Sequence, residues 1–552
     1  MMRFSLLLTL PLVAIATAQT PIELASEARL WLKVPAENPP ITPVAAELGQ
    51  VAQAPWENDP EIRARQTDVH FPIQWWRWTA QTLRFTPTAD GNVELWLKGP
   101  WSQEKNGATP RKEVLWDSLT AEGAELTNGG FEASAEGRPL GWQSPWAAYP
   151  AETDWPLAQA AAMDGKRVAT AWVQRPLVQT LRVRAGQPVI IRLHAKAATP
   201  PDFSPPKRLG TDTRAHQAMA GLRRGVNLGN GWEAKPGTWG LKFTTEDIDR
   251  IADEGFDHIR VPVAWHFHTR EQNGTITIDP AFLTEIEPVL RRAIDRKLRV
   301  LLNWHHFHDF TENPDDNLTR FTATWQAIAT HFKNWPPTLF FELLNEPCDA
   351  LTTEALGPIY QKTIRIIRAT QPERIVVVSP GRWGIISELD GLRLPDDDDR
   401  IIVTVHCYEP FHFTHQGAGW VGLEALRGVR YPGPPKSPLP LPESLREHQG
   451  VKAFLEGYNH LHASQNPSSP EAIRRMLDTA HQWSRHFGRP VHLGEFGAHQ
   501  AGDFDSRARY LRDVRTLAEE RGIPWTLWEW KAGFGYWDAS KERPNFRKSL
   551  ME

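Results

Sequence analysis

Past residue 217 the chain repeats one pattern eight times: a short apolar run, then a stretch with helical spacing. No other feature constrains the fold as strongly. The runs fall at 223–229, 258–264, 299–305, 338–345, 374–379, 401–408, 490–496 and 524–530. They are near-continuously apolar rather than alternating, the pattern of strands covered on both faces. The stretches between them carry helix signals. Thr244-Thr245-Glu246-Asp247 offers a capping box for a helix through Asp253. Asp279-Pro280 opens a helix to about Arg296, with Phe282, Ile286, Val289, Leu290 and Ile294 on its apolar face. Ser469-Pro470 opens another to about Phe487. Eight such units imply a closed (β/α)8 barrel over 217–552. An open doubly wound sheet is the alternative, but no Gly-rich phosphate loop supports it.

The chain before the barrel reads differently. Residues 1–18 have the form of a secretory signal: Arg3, an apolar run from Phe4 to Ala16, then Ala16-Thr17-Ala18 before Gln19. Export is therefore expected, to the periplasm or the exterior. No later stretch is apolar enough to span a membrane. Residues 19–65 show no strong period and read as an N-terminal arm. Over 66–198 the pattern alternates, as in Asn92-Val93-Glu94-Leu95-Trp96-Leu97 and Val189-Ile190-Ile191-Arg192-Leu193-His194-Ala195. Turn signals such as Asn128-Gly129-Gly130 separate the runs, which predicts a β-sandwich. Residues 199–216 are Pro-rich and read as a semi-rigid linker. The fold class is thus multidomain, all-β followed by α/β. One connection, 411–468, is far longer than the others and is expected to wall the catalytic face of the barrel.

Composition narrows the partners. A formal net charge of −4 without a basic run argues against nucleic acid. There are 25 Trp against 7 Tyr, and many Trp lie in Gly/Pro-rich loops (Trp101, Trp146, Trp155, Trp232, Trp239, Trp420). A flat indole face suits stacking on sugar rings, although Trp also fills cores. The two cysteines, Cys348 and Cys407, cannot form a disulfide scaffold and read as packing residues.

Two carboxylates end apolar runs. Glu346 closes Phe341-Glu342-Leu343-Leu344-Asn345-Glu346-Pro347, and Glu495 closes Val491-His492-Leu493-Gly494-Glu495. Acidic groups seldom sit at the end of buried strands without a task. On a barrel the C-terminal strand ends converge. In order they carry Arg260, His305, Asn345-Glu346, His406 with Tyr408, Glu495 and Trp528. This set resembles family 5 glycoside hydrolases, which include many cellulases, across about residues 220–540. The resemblance rests on Ile259-Arg260-Val261-Pro262-Val263, Asn303-Trp304-His305-His306, Leu344-Asn345-Glu346-Pro347, Val405-His406-Cys407-Tyr408-Glu409-Pro410, Leu493-Gly494-Glu495-Phe496-Gly497 and Leu527-Trp528-Glu529-Trp530.

The resemblance implies that Glu346 is the acid/base, Glu495 the nucleophile, and the reaction retaining. The two carboxyl groups would then lie about 5–5.5 Å apart. Arg260 and Tyr408 would donate to Glu495. Asn345 would bond the sugar 2-hydroxyl, and His305 and His406 would position hydroxyls or the acid/base. Trp528 would lie under the ring. His305 and His306 are adjacent, so only one can face inward on a strand, and the family pattern favours His305. Strand alternation would send both Trp528 and Trp530 inward, and the motif favours Trp528. His412, His415 and Trp420 in the long connection, and Asn227, Asn230 and Trp232 near the first strand, are further candidates for substrate contact.

The segment Thr127-Asn128-Gly129-Gly130-Phe131-Glu132, with Gly141-Trp142 and the strands after Gln179, resembles the start of jelly-roll carbohydrate-binding modules. The half ending Val114-Leu115-Trp116-Asp117 resembles their end. A permuted module that binds sugar, or a brace for the barrel, is implied. The cluster His305-His306-Phe307-His308-Asp309 invites a metal reading, but consecutive strand residues do not converge on an ion. No metal and no cofactor are expected. The expected protein is a secreted, monomeric β-glycoside hydrolase acting on a polysaccharide or oligosaccharide, with a β-1,4-glucan first among substrates. A β-mannanase, an exo-acting β-glucosidase and a catalytically silent carbohydrate-binding protein are the alternatives.

Overall fold

The computed structural model describes residues 22–35, 38, 44–47, 50–53, 65–101, 111–135, 138–145, 162–200, 203–463 and 465–552. The signal expected at 1–18 lies outside them. Two compact units are present. One takes in Met1–Ile41, Ile73–Thr82 and Thr86–Phe203, and the other Thr42–Pro72, Leu83–Phe85 and Ser204–Glu552. Among the described residues no helix is long and apolar enough to cross a membrane.

The first unit is built from antiparallel sheets of the β-sandwich type. Gly91–Lys98 runs between Glu27–Lys33 and Leu177–Val183. Val114–Glu122 runs between Ala169–Ala171 and Val189–Ala197. Alternate residues are buried, Ala28, Leu30 and Leu32 in one strand and Val189, Ile191, Leu193 and Ala195 in another. One buried face per sheet is what period-two patterning encodes. The strand Glu27–Lys33 falls in the stretch expected to be an arm. Its alternation is only three apolar residues long and is interleaved with Glu27, Arg29 and Lys33, which hides it in the sequence.

The second unit contains a closed parallel barrel. Its strands are β1 (Arg224–Asn227), β2 (His258–Val263), β3 (Arg299–Trp304), β4 (Leu339–Glu342), β5 (Val376–Val378), β6 (Ile401–His406), β7 (Val491–Phe496) and β8 (Trp525–Leu527). Pairing of β1 with both β2 and β8 closes the ring. Every residue of β2, β4, β6 and β7 is buried, as the apolar runs require. The helices start where expected, at Thr245 behind a Thr244 capping box, at Pro280 and at Pro470.

Residues 204–213 are not a free linker. Leu209 N–H donates to Phe487 O at 2.9 Å, and Arg208 Nε–H to His486 O at 2.7 Å. A short helix, Arg214–Met219, follows a Thr213 cap. Its Ala215 joins Leu222, Leu301, Phe340, Ile375, Val377 and Ile402 in one buried cluster. The prolines predicted an extended chain but not what it packs on. The long connection after β6 also holds more structure than a loop. It contains the helix Gln449–His460, and the Gln416 amide bonds both N–H and C=O of Val429, at 3.0 and 2.8 Å.

Register levels the polar residues at one end of the ring. Asn227 pairs with Arg260, Asn303 with Glu342, and His406 with Glu495. The last pairing depends on a one-residue shift between Val405 and His406.

Candidate active site

Arg260 occupies the centre of the polar end and is wholly buried. Nε–H donates to Glu342 Oε2 and Nη2–H to Glu342 Oε1, both at 2.7 Å. Nη1 donates to Asn227 Oδ1 at 2.9 Å and to Glu495 Oε1 at 2.6 Å. Nη2 also donates to Asn345 Oδ1 at 2.6 Å. Burial works against its charge, but Glu342 and Glu495 more than offset that, and the guanidinium stays above its ordinary value. Asn227 is held in turn by Gly494 O and Leu527 O, both at 3.1 Å from its Nδ2. Asn227 is fully buried and its amide is committed, so it holds the arginine rather than facing a ligand.

Glu495 closes the ring of contacts. Tyr408 Oη–H donates to its Oε2 at 2.7 Å, opposite the Arg260 contact on Oε1. Burial raises its pKa, while His406, Arg260 and the Tyr408 hydrogen bond favour the anion. Glu346 stands across the site. Its Oε1 shares a hydrogen with His406 Nδ1 at 2.7 Å, and the same nitrogen is 3.7 Å from Glu495 Oε2. Ligand atoms of Glu346, His406 and Glu495 all lie within 4.8 Å of one another. Burial pushes Glu346 up to about 7, yet 25% of its side chain reaches the surface. His406 is pushed down to about 4 by burial, so its ring is neutral near pH 6. Glu346 has φ 44, a left-handed backbone that side chains seldom adopt. Asn345 N–H donates to Trp304 O at 2.8 Å and Trp383 N–H to Pro347 O at 3.0 Å, and these bonds flank the strained residue.

The arrangement can perform proton transfer and nucleophilic attack on opposite sides of one bond. One carboxyl is held protonated by burial and the other has three groups stabilising its charge. Both Glu495 oxygens already accept from protein donors, which suits a carboxylate held in place for attack.

His305 and Trp528 face each other at the next level. Their rings stack at 5.6 Å with planes 8° apart. His305 is buried and donates or accepts at Nδ1 with Asn303 Oδ1 at 2.9 Å, while His306 takes φ 52 and turns to solvent. Only Trp528 enters the site. β8 ends at Leu527, so strand alternation no longer governs residue 530. Trp530 is fully buried instead, with its indole N–H on Asp247 Oδ1 at 3.1 Å. Gly229 lies against Trp528; a Cβ there would sit 2.7 Å from the indole.

A second acidic pair lies in the segments after β1 and β8. Glu233 accepts from the N–H groups of Asn230 and Gly231, and Glu529 from the Asn230 amide and the Phe534 N–H. Burial pushes Glu233 up to about 7 and Glu529 to about 8, and the nearby Glu495 charge adds to each rise. Trp232 is buried with its indole N–H on Glu285 at 2.8 Å. It therefore supports this segment and does not face the site.

The connection after β6 supplies an aromatic wall. Tyr408 meets His415 at 4.9 Å, His415 meets Phe534 at 5.6 Å, and Trp420 meets His499 at 5.3 Å. Trp420 is 66% exposed. His415 is buried and stacks on Phe411, and His412 stacks on Phe454, so both pack within the connection. Cys348 and Cys407 are free thiols, and burial pushes each up to about 12, far from a reactive thiolate.

Sequence reasoning missed Glu342, Glu233, Glu529 and Trp383. Glu342 and Glu529 carried the same signal as Glu346, an acid inside an apolar run. Trp383 has φ 62 beside Arg382 at φ 49 and is 55% exposed next to the Glu346–Pro347 turn. Nothing in a single sequence marks it.

Comparison with known proteins agrees with this geometry. Residues 222–533 match the family model described as cellulase (glycosyl hydrolase family 5). Endoglucanase H of Acetivibrio thermocellus is 28% identical over 333 residues, which are 60% of this chain and 31% of that protein. Endoglucanase 3 of Fibrobacter succinogenes is 27% identical over 358 residues, 62% of this chain and 54% of that one. The chain thus spans less than two thirds of either relative. Among solved structures, Thermotoga maritima Cel5A in complex with cellobiose superposes with a TM-score of 0.53 at 30% identity, covering 62% of this chain and all of that one.

Proposed function

The chain belongs to glycosyl hydrolase family 5, and from that membership we propose that it is a retaining endo-β-1,4-glucanase with Glu346 as acid/base and Glu495 as nucleophile. The observation that carries the reading is the convergence of the two carboxyl groups within 4.8 Å, one pushed up to about 7 and the other gripped by Arg260 and Tyr408. Retaining enzymes place their carboxyl groups about 5–5.5 Å apart, whereas inverting ones leave room for a water, about 6.5 Å or more.

In the first step the Glu346 proton passes to the glycosidic oxygen as Glu495 attacks the anomeric carbon from the other face. The bond to the leaving sugar breaks and a glycosyl ester forms on Glu495. In the second step Glu346, now a carboxylate, takes a proton from water. The water oxygen attacks the anomeric carbon and frees Glu495. Asn345 has its oxygen on Arg260, which leaves its amide hydrogens for the sugar 2-hydroxyl. Trp528 forms the floor and His305 offers a ring nitrogen to a hydroxyl. The exposed Trp420 and Trp383 suit stacking on neighbouring sugars. Endo action on a β-1,4-glucan is favoured because the relatives are named endoglucanases. Sizing the products from carboxymethyl-cellulose, β-mannan and mixed-linkage glucan tests the reading. Release of monosaccharide only, or turnover of mannan alone, would refute it.

The antiparallel unit fits a sugar-binding role. A cavity of about 360 Å³ is lined by Glu94, Trp96, Thr127, Gln143, Thr180 and Arg182. An indole edge among mixed donors and acceptors suits a carbohydrate. Retention of the full chain on insoluble cellulose, reduced in Thr180→Ala/Arg182→Ala without loss of turnover on soluble substrate, tests this. Equal retention of the two would favour a brace. Residues 1–18 are read as an export signal, and N-terminal sequencing of protein from the medium or periplasm checks that cleavage precedes Gln19.

A further inference from the structure

Glu342 ends β4 with none of its side chain exposed. The double displacement above does not use it. Yet it takes two adjacent donors of Arg260 in a parallel, two-point contact at 2.7 Å each. Such a contact fixes the plane of a guanidinium as well as its position. With the plane fixed, Nη1 is aimed at Asn227 and Glu495, and the second Nη2 hydrogen at Asn345. All five N–H groups of the arginine then have acceptors.

The count of charges matters as much as the aim. One buried cation lies between two buried carboxyl side chains, Glu342 and Glu495. A cation with a single anionic partner would hold Glu495 far more firmly as the anion, and an over-stabilised carboxylate is a poor nucleophile. We propose that Glu342 is a positioning residue for the nucleophile, fixing the plane of Arg260 and offsetting its charge so that Glu495 is oriented without being over-stabilised. This rests on the hydrolase reading above.

The other groups facing Glu495 do not replace this control. They are Tyr408 and His406 from the β6 end, Glu346 from the β4 end, and Glu233 and Glu529 from the segments after β1 and β8. Tyr408 stays neutral, and the three acids, raised to about 7 or 8 by burial, keep their protons across the acid limb and bring no charge there. His406 is neutral near pH 6. Arg260 alone brings a permanent positive charge, and Glu342 alone shares it through two bonds.

The test is the pH dependence of kcat/KM on an aryl β-cellobioside with a reactive leaving group, where the acid limb reports ionisation of Glu495. In Glu342→Gln the limb is expected to move to lower pH by about half a unit or more, because Arg260 then serves one anion. The plateau is expected to fall about tenfold or more as the arginine loses its second anchor. In Glu342→Asp the charge remains and the reach shortens, so the plateau falls while the limb stays at the wild-type position. An unmoved limb in Glu342→Gln, or an equal shift in Glu342→Asp, overturns the proposal. If Glu342→Gln does not fold, Glu342→Asp carries the test by itself: a limb displaced by about half a unit or more there overturns the proposal. Wild-type protein without turnover removes the hydrolase reading and this inference together, whereas turnover with an unmoved limb removes this inference alone.

Discussion

The hydroxyl of Tyr408 donates to Glu495 Oε2 across 2.7 Å, on the oxygen that Arg260 leaves free. Glu495 is therefore held at both oxygens, by Arg260 of β2 and by Tyr408 just past β6. Tyr408→Phe removes one donor to the anion, so the Glu495 pKa rises and the acid limb of activity moves to higher pH. Turnover is expected to drop about tenfold or more, as for loss of one hydrogen bond to a charged group. A pH–rate profile of the purified variant checks both.

Glu346→Gln and Glu495→Gln keep the shape of each side chain and remove its acid–base or nucleophilic chemistry. Loss of Glu495 is expected to lower kcat by at least about 10³-fold on any substrate. Loss of Glu346 costs about 10²–10⁴-fold on a glucan, and less in the first step with a reactive aryl leaving group that needs no proton. Burst kinetics with the aryl substrate separate the two steps. Equal losses on both substrates in the Glu346 variant would contradict its role.

On the proposed mechanism the alkaline limb of activity belongs to Glu346. Burial holds its pKa at about 7, so it carries its proton below that pH and loses it above. Activity is expected to fall as pH rises through about 7. Glu346 is about a quarter exposed, so the limb is expected to move little with salt. Titration of kcat/KM between pH 5 and 9 measures it.

The buried acids Glu233 and Glu529 make the folded chain sensitive to alkali. The Glu529 pKa is raised to about 8 by burial, above its unfolded value. The folded state therefore binds more protons than the unfolded state from the ordinary carboxylate range up to about pH 8, and stability falls as pH rises through that window. Glu529→Gln removes one such group. At pH 8 it is expected to be more stable than the wild type by on the order of 1–3 kcal/mol, with the gain vanishing near pH 4. Thermal melts across this range measure the difference.

Gly229→Ala is expected to displace the Trp528 indole, since the added methyl would come within 2.7 Å of it. The ring is also stacked with His305, so its displacement disturbs that contact. KM for a cellobioside should rise and kcat fall, with the melting temperature changed little. Tryptophan fluorescence on adding cellobiose reports the altered floor.

Much of this was written in the sequence. All eight strand runs and the caps at Thr244, Asp279 and Ser469 appear close to their expected limits, because buried parallel strands and helix starts are encoded locally. Arg260, His305, Asn345, Glu346, His406, Tyr408, Glu495 and Trp528 come together as their positions at strand ends required. What stayed hidden depends on contacts far apart in the chain. The Arg260–Glu342 pair joins residues 82 apart, and the Asn230–Glu529 contact joins residues 299 apart. Trp530 left the expected pattern because β8 stops three residues early. The helix Gln449–His460 was masked by the Pro-rich run before it.

A single guanidinium is bonded to groups from β1, the end of β4 and β7, which lie on different arcs of the ring. No incomplete circle of strands can offer it all these acceptors. Catalytic competence should therefore arrive in one step with the joining of the first strand to the last. Heat or denaturant should abolish turnover at the midpoint at which the barrel itself unfolds, with no partially active species between.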